Sequence, residues 1–250
     1  MSATGVTLEQ SFNRTELLIT VIARLLAGCR HVAVGASSPI PGSAALLTRE
    51  LSGGALRVTV LGSRQNCSFT NGGVELFDMA GQGRVDAFFL GGGQIDGQAN
   101  INLVGAGGDY PSQSVRWPGS FGSAYLYYLV PKVILFREEH TRRVFVPQVD
   151  FVSARGVTSP QVYRPGGPQA LLTSLGLFSF DKTTRRFRLL SVHPGHSLEE
   201  ILDHTGFSFD HEPSVPTTVG PDDKLLALIR GTIRHQIGET YPRFAAAMAA

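Results

Sequence analysis

Three consecutive glycines, Gly91, Gly92 and Gly93, follow a strongly apolar segment at residues 85–90 and precede Gln94. Glycine lets a backbone approach a ligand closely and present its amide N–H groups to an oxyanion. Because ligands of open α/β sheets bind beyond the carboxyl ends of strands, this loop is a candidate oxyanion site. A tight turn without a ligand is the alternative. The pattern matches neither the dinucleotide-binding nor the phosphate-binding glycine motif, so it does not indicate a nucleotide site.

A second glycine-rich loop contains Gly119, Ser120 and Gly122 and precedes a helical segment. Backbone amides at the beginning of a helix can bind an anion, which makes this loop a second candidate for ligand binding. An ordinary connecting loop is the alternative. Ser120 lacks the Gly-x-Ser-x-Gly context of a nucleophilic serine. We therefore expect ligand binding rather than nucleophilic catalysis from these residues.

Residue types that bind metals or act as nucleophiles are sparse. The seven histidines contain no His-Glu-x-x-His motif. The segment from His193 to His196 includes proline and glycine, which indicate a solvated turn rather than a metal site. Cys67 could act as a nucleophile, but a lone cysteine without a placed base is usually structural. We expect no metal site and no permanently bound cofactor.

The composition is that of a soluble globular protein. Of the 250 residues, 42% are hydrophobic and 17% are charged, and the formal net charge is +2. This balance gives no indication of nucleic acid or an anionic membrane as the main partner. The most apolar stretch, residues 17–29, contains Thr20 and Arg24 and is too short for a membrane span. We expect a single cytoplasmic domain spanning residues 1–250, without a signal peptide or a disulfide framework.

Hydrophobic periodicity predicts helices and strands that alternate along most of the chain. The predicted helices cover residues 8–28, 43–51, 74–80, 197–204 and 222–233. The predicted strands cover residues 31–34, 56–61, 85–90, 132–136 and 149–153, and residues 175–180 and 187–192 form a predicted β-hairpin. Continuously apolar strands are typical of a sheet that is buried on both faces. The sequence therefore predicts an α/β fold: a mainly parallel central sheet flanked by helices, with a C-terminal β-hairpin and helices.

The order of these segments resembles the B (beta) subunit of family I coenzyme A transferases, most closely the glutaconate type. The first matching segment is residues 83–96 with residues 100–102, where the family has an apolar strand, a glycine loop and Asn-x-Asn. The second is residues 121–124, where the family has a glycine-rich Gly-Gly-Ala loop. The third comprises residues 175–181, 193–195 and 200–207. The three segments occur in the same order as in the family.

The resemblance implies an α/β subunit that pairs with a homologous A (alpha) subunit, as a heterodimer or heterotetramer, with acyl-CoA bound between them. Transferases of this family attack the thioester with a glutamate of the B subunit, which would align here with Val60 or Leu61. An aliphatic side chain cannot form the acyl anhydride and enzyme thioester of that mechanism. No Asp or Glu occurs from Leu51 through Gly73, and Glu75 lies well past the expected position.

The absence of a carboxylate at this position leaves three hypotheses about function. The first is a different acyl-CoA reaction in catabolism, because relatives without the glutamate include a ring-opening C–C hydrolase of steroid breakdown and a decarboxylase of branched glutaconyl-CoA. The second is an ordinary glutaconate or 3-oxoacid CoA-transferase whose carboxylate comes from elsewhere. The third is a non-catalytic subunit that completes its partner's site. A coenzyme A thioester is the expected substrate in each. The expected acyl-CoA and oxyanion-binding residues are Gly91, Gly92, Gly93, Gln94, Gly119, Ser120 and Gly122.

Overall fold

The computed structural model describes residues 11–248. Its α-helices, α1 to α8 in chain order, are Arg14–Leu25, Pro39–Leu51, Gly72–Gly81, Ser123–Leu129, Leu198–His204, Asp223–Leu228, Arg234–Gly238 and Pro242–Ala247, with a π-helical turn at Ile229–Ile233 between α6 and α7. Its strands, β1 to β11, are His31–Val34, Arg57–Val60, Ala87–Leu90, Gln94–Ile95, Ile101–Asn102, Gly105–Ala106, Val115–Arg116, Lys132–Phe136, Pro168–Leu172, Gly176–Asp181 and Arg186–Val192. None of the described helices is long and apolar enough to cross a membrane.

A seven-stranded sheet forms the centre of the fold, with the strand order β11-β10-β9-β8-β3-β1-β2. The five strands from β9 to β2 in this order pair in parallel. β10 and β11 pair antiparallel and extend the same sheet beyond β9. The predicted α/β fold, with a mainly parallel sheet and a C-terminal hairpin, is confirmed.

The two faces of the sheet bury separate apolar cores. On one face, α1 and α2 pack against the strands together with Ile229, Ile233 and Ile237. On the other face, α3, α4 and the aromatic side chains of the β10–β11 hairpin form the second core. All residues of β1 and β3 are buried, because helices or loops cover both sides of these central strands.

Local capping explains where the first two helices begin. Asn13 and Glu16 form a reciprocal capping box, with Asn13 Oδ1 accepting from the Glu16 N–H at 3.0 Å, so α1 begins at Arg14. Of the predicted helix at residues 8–28, residues 8–10 lie outside the described part of the chain. α2 begins at Pro39 rather than at residue 43, because the first turn of a helix accepts proline without losing a hydrogen bond.

The predicted strand at residues 149–153 is wrong, because this segment is a loop held by side-chain acceptors. The Asp150 N–H donates to Gln94 Oε1 at 3.0 Å, and the Val149 N–H donates to Asp96 Oδ2 at 3.5 Å. Only the Ser153 N–H, which donates to the Ile101 carbonyl oxygen at 2.9 Å, makes a contact of the kind found between strands. The segment at residues 149–153 therefore lies alongside the β4–β5 hairpin without forming a strand of a sheet.

Candidate active site at the carboxyl edge of the sheet

The carboxyl ends of β1, β2, β3 and β8 lie along one edge of the sheet. Leu61 follows β2, and its backbone N–H donates to the carbonyl oxygen of Val34, the last residue of β1, at 3.0 Å. Gly91 follows β3, and a Cβ at this position would lie 2.9 Å from the carbonyl oxygen of Phe136 at the end of β8. Because β2 and β3 lie on opposite sides of β1, the sheet has a topological switch point here, where ligands of α/β proteins bind.

The glycine loop after β3 is packed closely against its own protein. A Cβ at Gly92 would lie 2.6 Å from Ile101 Cγ2 and 2.7 Å from the Gln94 carbonyl oxygen, so no side chain fits there. The Gly93 N–H donates to the Asn102 carbonyl oxygen at 2.9 Å and is not available to a ligand. Within residues 11–248 the N–H of the buried Gly92 has no hydrogen-bond acceptor. Of these two amides, only that of Gly92 is left for an oxyanion.

Trp117 brings the second glycine-rich loop against the first. Its indole packs directly on the backbone of Gly93, where a Cβ would lie 2.5 Å from Trp117 Cε2. The chain then passes through Gly119, whose φ of +107° is in the region that favours glycine. The Ser120 carbonyl oxygen accepts from the Ser123 N–H at 2.9 Å and leads into α4. The two loops predicted to bind a ligand are thus joined through one tryptophan.

Gln94 supports the loops around the glycines through its side chain. It is buried, and its Oε1 accepts from Asn102 Nδ2 at 2.8 Å and from the Asp150 N–H at 3.0 Å. Asn102 is fully buried, and its Nδ2 also donates to the Gly105 carbonyl oxygen at 2.7 Å. These contacts give Gln94 a positioning role, because its oxygen is already occupied by the protein.

Phe121 is a candidate site residue that the sequence alone does not reveal. Its φ is +45°, a strained conformation for a bulky side chain, and 79% of the residue is exposed. The ring covers Gly73, at which a Cβ would lie 3.2 Å from Phe121 Cζ, and its centroid is 5.3 Å from that of Phe77. Any Cβ at Gly122 would overlap the Phe77 ring, so packing against α3 accounts for the glycine at that position.

Val60 and Leu61, the two positions at which the resemblance leads us to expect the family's glutamate, lie on different sides of the sheet. Val60 is buried in the core formed with α1 and α2. Leu61 is half-buried and packs against the opposite core, on the side of α3. Its Cδ2 lies 3.8 Å from the position of a Cβ at Gly72, in the first turn of α3. Leu61 is therefore the residue that faces the neighbourhood of Phe121.

Glu75, the first acidic residue after Leu61, is bound at the beginning of α3. Its carboxylate accepts hydrogen bonds from the Thr70 hydroxyl at 2.9 Å and from the backbone N–H groups of Thr70 and Asn71. These hydrogen bonds, that of the Thr70 side chain first, lower the pKa of Glu75. The carboxylate is ionised and held by its own loop. Cys67, the other potential nucleophile considered from the sequence, is a free and half-buried thiol.

A cavity of about 420 Å³ opens beside the glycine loop. It is bounded by Ser37 and Ser38 after β1, by Gly91, and by the segment that follows β8. Arg137 of that segment donates from Nη2 to Glu139 Oε2 at 3.1 Å, whereas its buried Nε has no partner among the described residues. A guanidinium beside a glycine backbone suits the negatively charged or polarised oxygens of a ligand.

Two histidines, His140 and His193, are buried within the fold, and the turn predicted at residues 193–196 is present, with the His196 N–H donating to the His193 carbonyl oxygen at 3.1 Å. His193 begins this turn but is itself buried rather than solvated, with Nδ1 2.8 Å from Thr218 Oγ1 and Nε2 3.1 Å from the Thr173 carbonyl oxygen. Burial lowers the pKa of His193 to about 4. His140 lies between the hydroxyls of Thr173 and Thr205, and burial lowers its pKa to about 3. No cluster of metal-binding side chains occurs in the part of the chain that the structure describes.

Comparisons with known proteins agree with this architecture. The B subunit of glutaconate CoA-transferase from Acidaminococcus fermentans is 33% identical over 152 residues, which cover 58% of this chain and 56% of that protein. The cholesterol ring-cleaving hydrolase IpdB subunit of Rhodococcus jostii is 33% identical over 165 residues and covers 62% of each chain. A crystal structure of a variant of the decarboxylase AibA/AibB has a TM-score of 0.74 at 27% identity, covering 87% of this chain and 94% of that one.

The family model described as coenzyme A transferase matches residues 16–204, which include both glycine loops and Leu61. The matched part of the chain spans less than two thirds of the length of each of the two curated relatives. The resemblance to a family I B subunit is confirmed by the model and by the similarity to the glutaconate enzyme. This chain belongs to the coenzyme A transferase family.

Proposed function

We propose that this chain is the B subunit of a two-subunit enzyme that breaks a carbon–carbon bond of an acyl-CoA, by hydrolysis or by decarboxylation. The observation that supports this function is the half-buried leucine after β2, Leu61, at a position where we expect the family's glutamate. Transfer of coenzyme A through an enzyme thioester needs a nucleophile at that position, and an isobutyl group has none. The nearest carboxylate that follows, Glu75, is held by Thr70 and Asn71.

Hydrolytic cleavage and decarboxylation place the same demand on the protein. In the first, water adds to a carbonyl carbon and the adjacent C–C bond breaks; in the second, the bond to a carboxylate breaks and CO2 leaves. In both, the electron pair of the broken bond passes into the thioester, whose carbonyl oxygen becomes an enolate oxyanion until a proton returns to carbon. The unpaired N–H of Gly92, beside the cavity that Gly91 and Arg137 line, is suited to that charge.

The relatives support a reaction of this class. The IpdB subunit is described as part of a cholesterol ring-cleaving hydrolase, and AibA/AibB as a decarboxylase. The IpdB protein and the glutaconate relative are each named as a subunit, and the name AibA/AibB joins two components. We infer a homologous A subunit as the partner of this chain, a coenzyme A thioester as its substrate, and no permanently bound cofactor.

The decisive experiment is co-expression of this chain with its A subunit, followed by incubation with a panel of 3-oxoacyl-CoAs and 2-enoyl-CoAs. Each member of the panel carries a free carboxylate in addition to the thioester. We expect release of a C–C cleavage product or CO2 without any added acceptor acid. A strict requirement for an acceptor acid, with ping-pong kinetics, would restore the ordinary transferase. Peptide mapping after borohydride or hydroxylamine treatment would then show the modified carboxylate, for instance on Glu75. Activity that requires this chain but does not depend on its side chains at the candidate site would instead identify a non-catalytic subunit that completes its partner's site.

A further inference from the structure

We propose that Glu239, on the connection between α7 and α8, is a positioning residue of the candidate active site. Its carboxylate holds the turn that follows β2, residues 61–66, and so fixes one side of the place where the acyl-CoA is proposed to react. The inference rests on the proposed function for the reaction and adds a residue on which its rate depends. Glu239 lies beyond residues 16–204, the part of the chain that the family model matches.

The turn after β2 is closed by hydrogen bonds to the backbone of Val60 and to the side chain of Ser63. The Val60 N–H donates to the Asn66 carbonyl oxygen at 2.8 Å, and the Val60 carbonyl oxygen accepts from the Ser63 N–H at 3.1 Å. The hydroxyl oxygen of the buried Ser63 accepts from the Asn66 N–H at 2.8 Å. Ser63 therefore connects both ends of the turn, and its hydroxyl hydrogen needs an acceptor outside the turn.

Glu239 supplies that acceptor. Its Oε2 accepts from the Ser63 hydroxyl at 2.6 Å, and its Oε1 accepts from the Arg64 N–H at 2.9 Å. These hydrogen bonds, that of the Ser63 side chain first, lower the pKa of Glu239, so the acceptor is an ionised carboxylate. Hydrogen bonds to an ionised group are about twice as strong as those between neutral groups. Without this carboxylate, the buried Ser63 hydroxyl would lose the acceptor for its hydrogen.

The segment that carries Glu239 is itself anchored on the helices beside the sheet. Ile237 is buried in the core formed with α1 and α2, and its Cδ1 lies 3.0 Å from the position of a Cβ at Gly42 in α2. The N–H groups of Thr240 and Tyr241 both donate to the Ile237 carbonyl oxygen, at 3.1 and 2.9 Å. The carboxylate therefore extends from a packed support, which is what a positioning residue requires.

The same connection also contacts the loop that follows β1. The Ser38 N–H donates to the Tyr241 hydroxyl oxygen at 3.3 Å, and Ser38 lines the cavity at the candidate site. The Leu61 N–H, at the beginning of the turn after β2, donates to the Val34 carbonyl oxygen at the end of β1 at 3.0 Å. The two loops are thus held to each other and to one C-terminal segment. Their placement affects the reaction, because a misplacement of about 1 Å can lower a rate about 100-fold.

The test compares variants in the complex of this chain with its A subunit, by the kinetics of acyl-CoA cleavage and by hydrogen–deuterium exchange. In Glu239→Ala we expect kcat to fall by at least about tenfold and KM to stay within about twofold, because the binding surface is kept while the turn moves. Exchange at residues 61–66 is expected to rise, while exchange in β1, β3 and β8 stays unchanged. Glu239→Gln keeps an oxygen acceptor for Ser63 and is expected to recover most of the rate.

Two further variants make the result specific. Glu50→Ala removes another carboxylate that contacts α7, where Glu50 Oε1 accepts from Gln236 Nε2 at 2.8 Å, and it is expected to leave kcat and the exchange of the turn unchanged. Ser63→Ala removes the other partner of the Glu239 contact and is expected to lower kcat and raise exchange in the turn, as Glu239→Ala does.

A kcat within about twofold of wild type in Glu239→Ala would overturn the proposal, as would unchanged exchange in the turn or an equal fall in Glu50→Ala. If Glu239→Ala does not co-purify with the A subunit, Ser63→Ala is the smaller change and decides by the same two measurements. A complex that only transfers coenzyme A would reject the proposed function. The exchange of the turn and the rate of that transfer would still test the role of Glu239.

Discussion

The indole of Trp117 occupies the space in which a side chain at position 93 would lie, because a Cβ on Gly93 would be 2.5 Å from Trp117 Cε2. This contact fixes the position of the loop that carries Gly119 and Phe121 relative to the glycine loop after β3. The glycine at position 93 therefore does more than shape its own turn. It provides the surface against which a second loop is placed.

Gly93→Ala is expected to lower the free energy of unfolding by about 1–3 kcal/mol, because a methyl group would force the indole to move. Trp117 is the only tryptophan of the chain, so its fluorescence emission reports the displacement directly. The matched control is Gly231→Ala, since a Cβ there would have no atom within 4 Å of it. Wild-type stability and emission in Gly93→Ala would show that the loop accommodates the methyl group and that Trp117 is not fixed by this contact.

The second prediction concerns the side-chain amide of Gln94, whose oxygen accepts hydrogen bonds from two donors. Gln94→Met retains the length of the side chain but leaves the buried Asn102 Nδ2 with one acceptor fewer and the Asp150 N–H with none from this residue. We expect a loss of about 2 kcal/mol in urea denaturation of the purified protein, the cost of unsatisfied buried donors. Gln94→Glu keeps an acceptor at the same place and is expected to be less destabilised. Equal losses in the two variants would show that the amide nitrogen, rather than the oxygen, is what the site requires.

The buried histidines predict loss of stability in acid. Desolvation lowers the pKa of His193 from 6.5 to about 4, so between these values the unfolded chain binds a proton that the folded chain does not. Stability is therefore complete above pH 6.5 and decreases as the pH falls toward 4, by up to about 1.4 kcal/mol per pH unit for each such histidine. His140, with a folded pKa of about 3, extends the same effect to lower pH.

Denaturation of the wild type and of His193→Gln at several pH values from 7 to 4.5 measures this contribution. The variant is expected to show a shallower dependence on pH, whatever its stability at neutral pH. His211→Gln, at an exposed position, is the control and is expected to retain the wild-type slope. A slope unchanged in His193→Gln would mean that other groups are responsible for the acid sensitivity.

The sheet can be predicted from the sequence because its strands are continuous apolar runs. The predicted strands at residues 31–34 and 132–136 have the bounds that the structure shows, since buried parallel strands need no alternation that could blur the pattern. The start of α2 is harder to predict because Pro39 and Pro41 are typical of loops, although proline is compatible with a first helical turn. Residues 149–153 have strand-like composition, but their backbone donors are taken by Gln94 and Asp96.

The contacts at the candidate site can be predicted only in part. The glycine loop after β3 follows from the sequence, because a glycine run after an apolar strand indicates close approach of the backbone. Two contacts depend on tertiary packing between distant segments: Trp117 fills the space over Gly93, and Phe121 fills the space over Gly73. The left-handed conformation of Phe121 contradicts the preference of its own side chain, so no local rule predicts it.

Leu61→Glu tests directly what the side chain after β2 contributes. A carboxylate at this half-buried position would place a negative charge against the apolar core on the side of α3, so we expect C–C cleavage by the assembled complex to fall by at least about tenfold. Leu61→Gln is the matched control, because it has the same shape as the glutamate without charge or nucleophilicity. If the surrounding backbone retains the geometry of a transferase, the glutamate variant alone should yield a coenzyme A adduct that borohydride reduces and peptide mapping locates at position 61. Wild-type cleavage rates in Leu61→Glu would show that the reaction does not take place beside this residue, and a covalent adduct on the wild-type chain would show that a different side chain supplies the nucleophile.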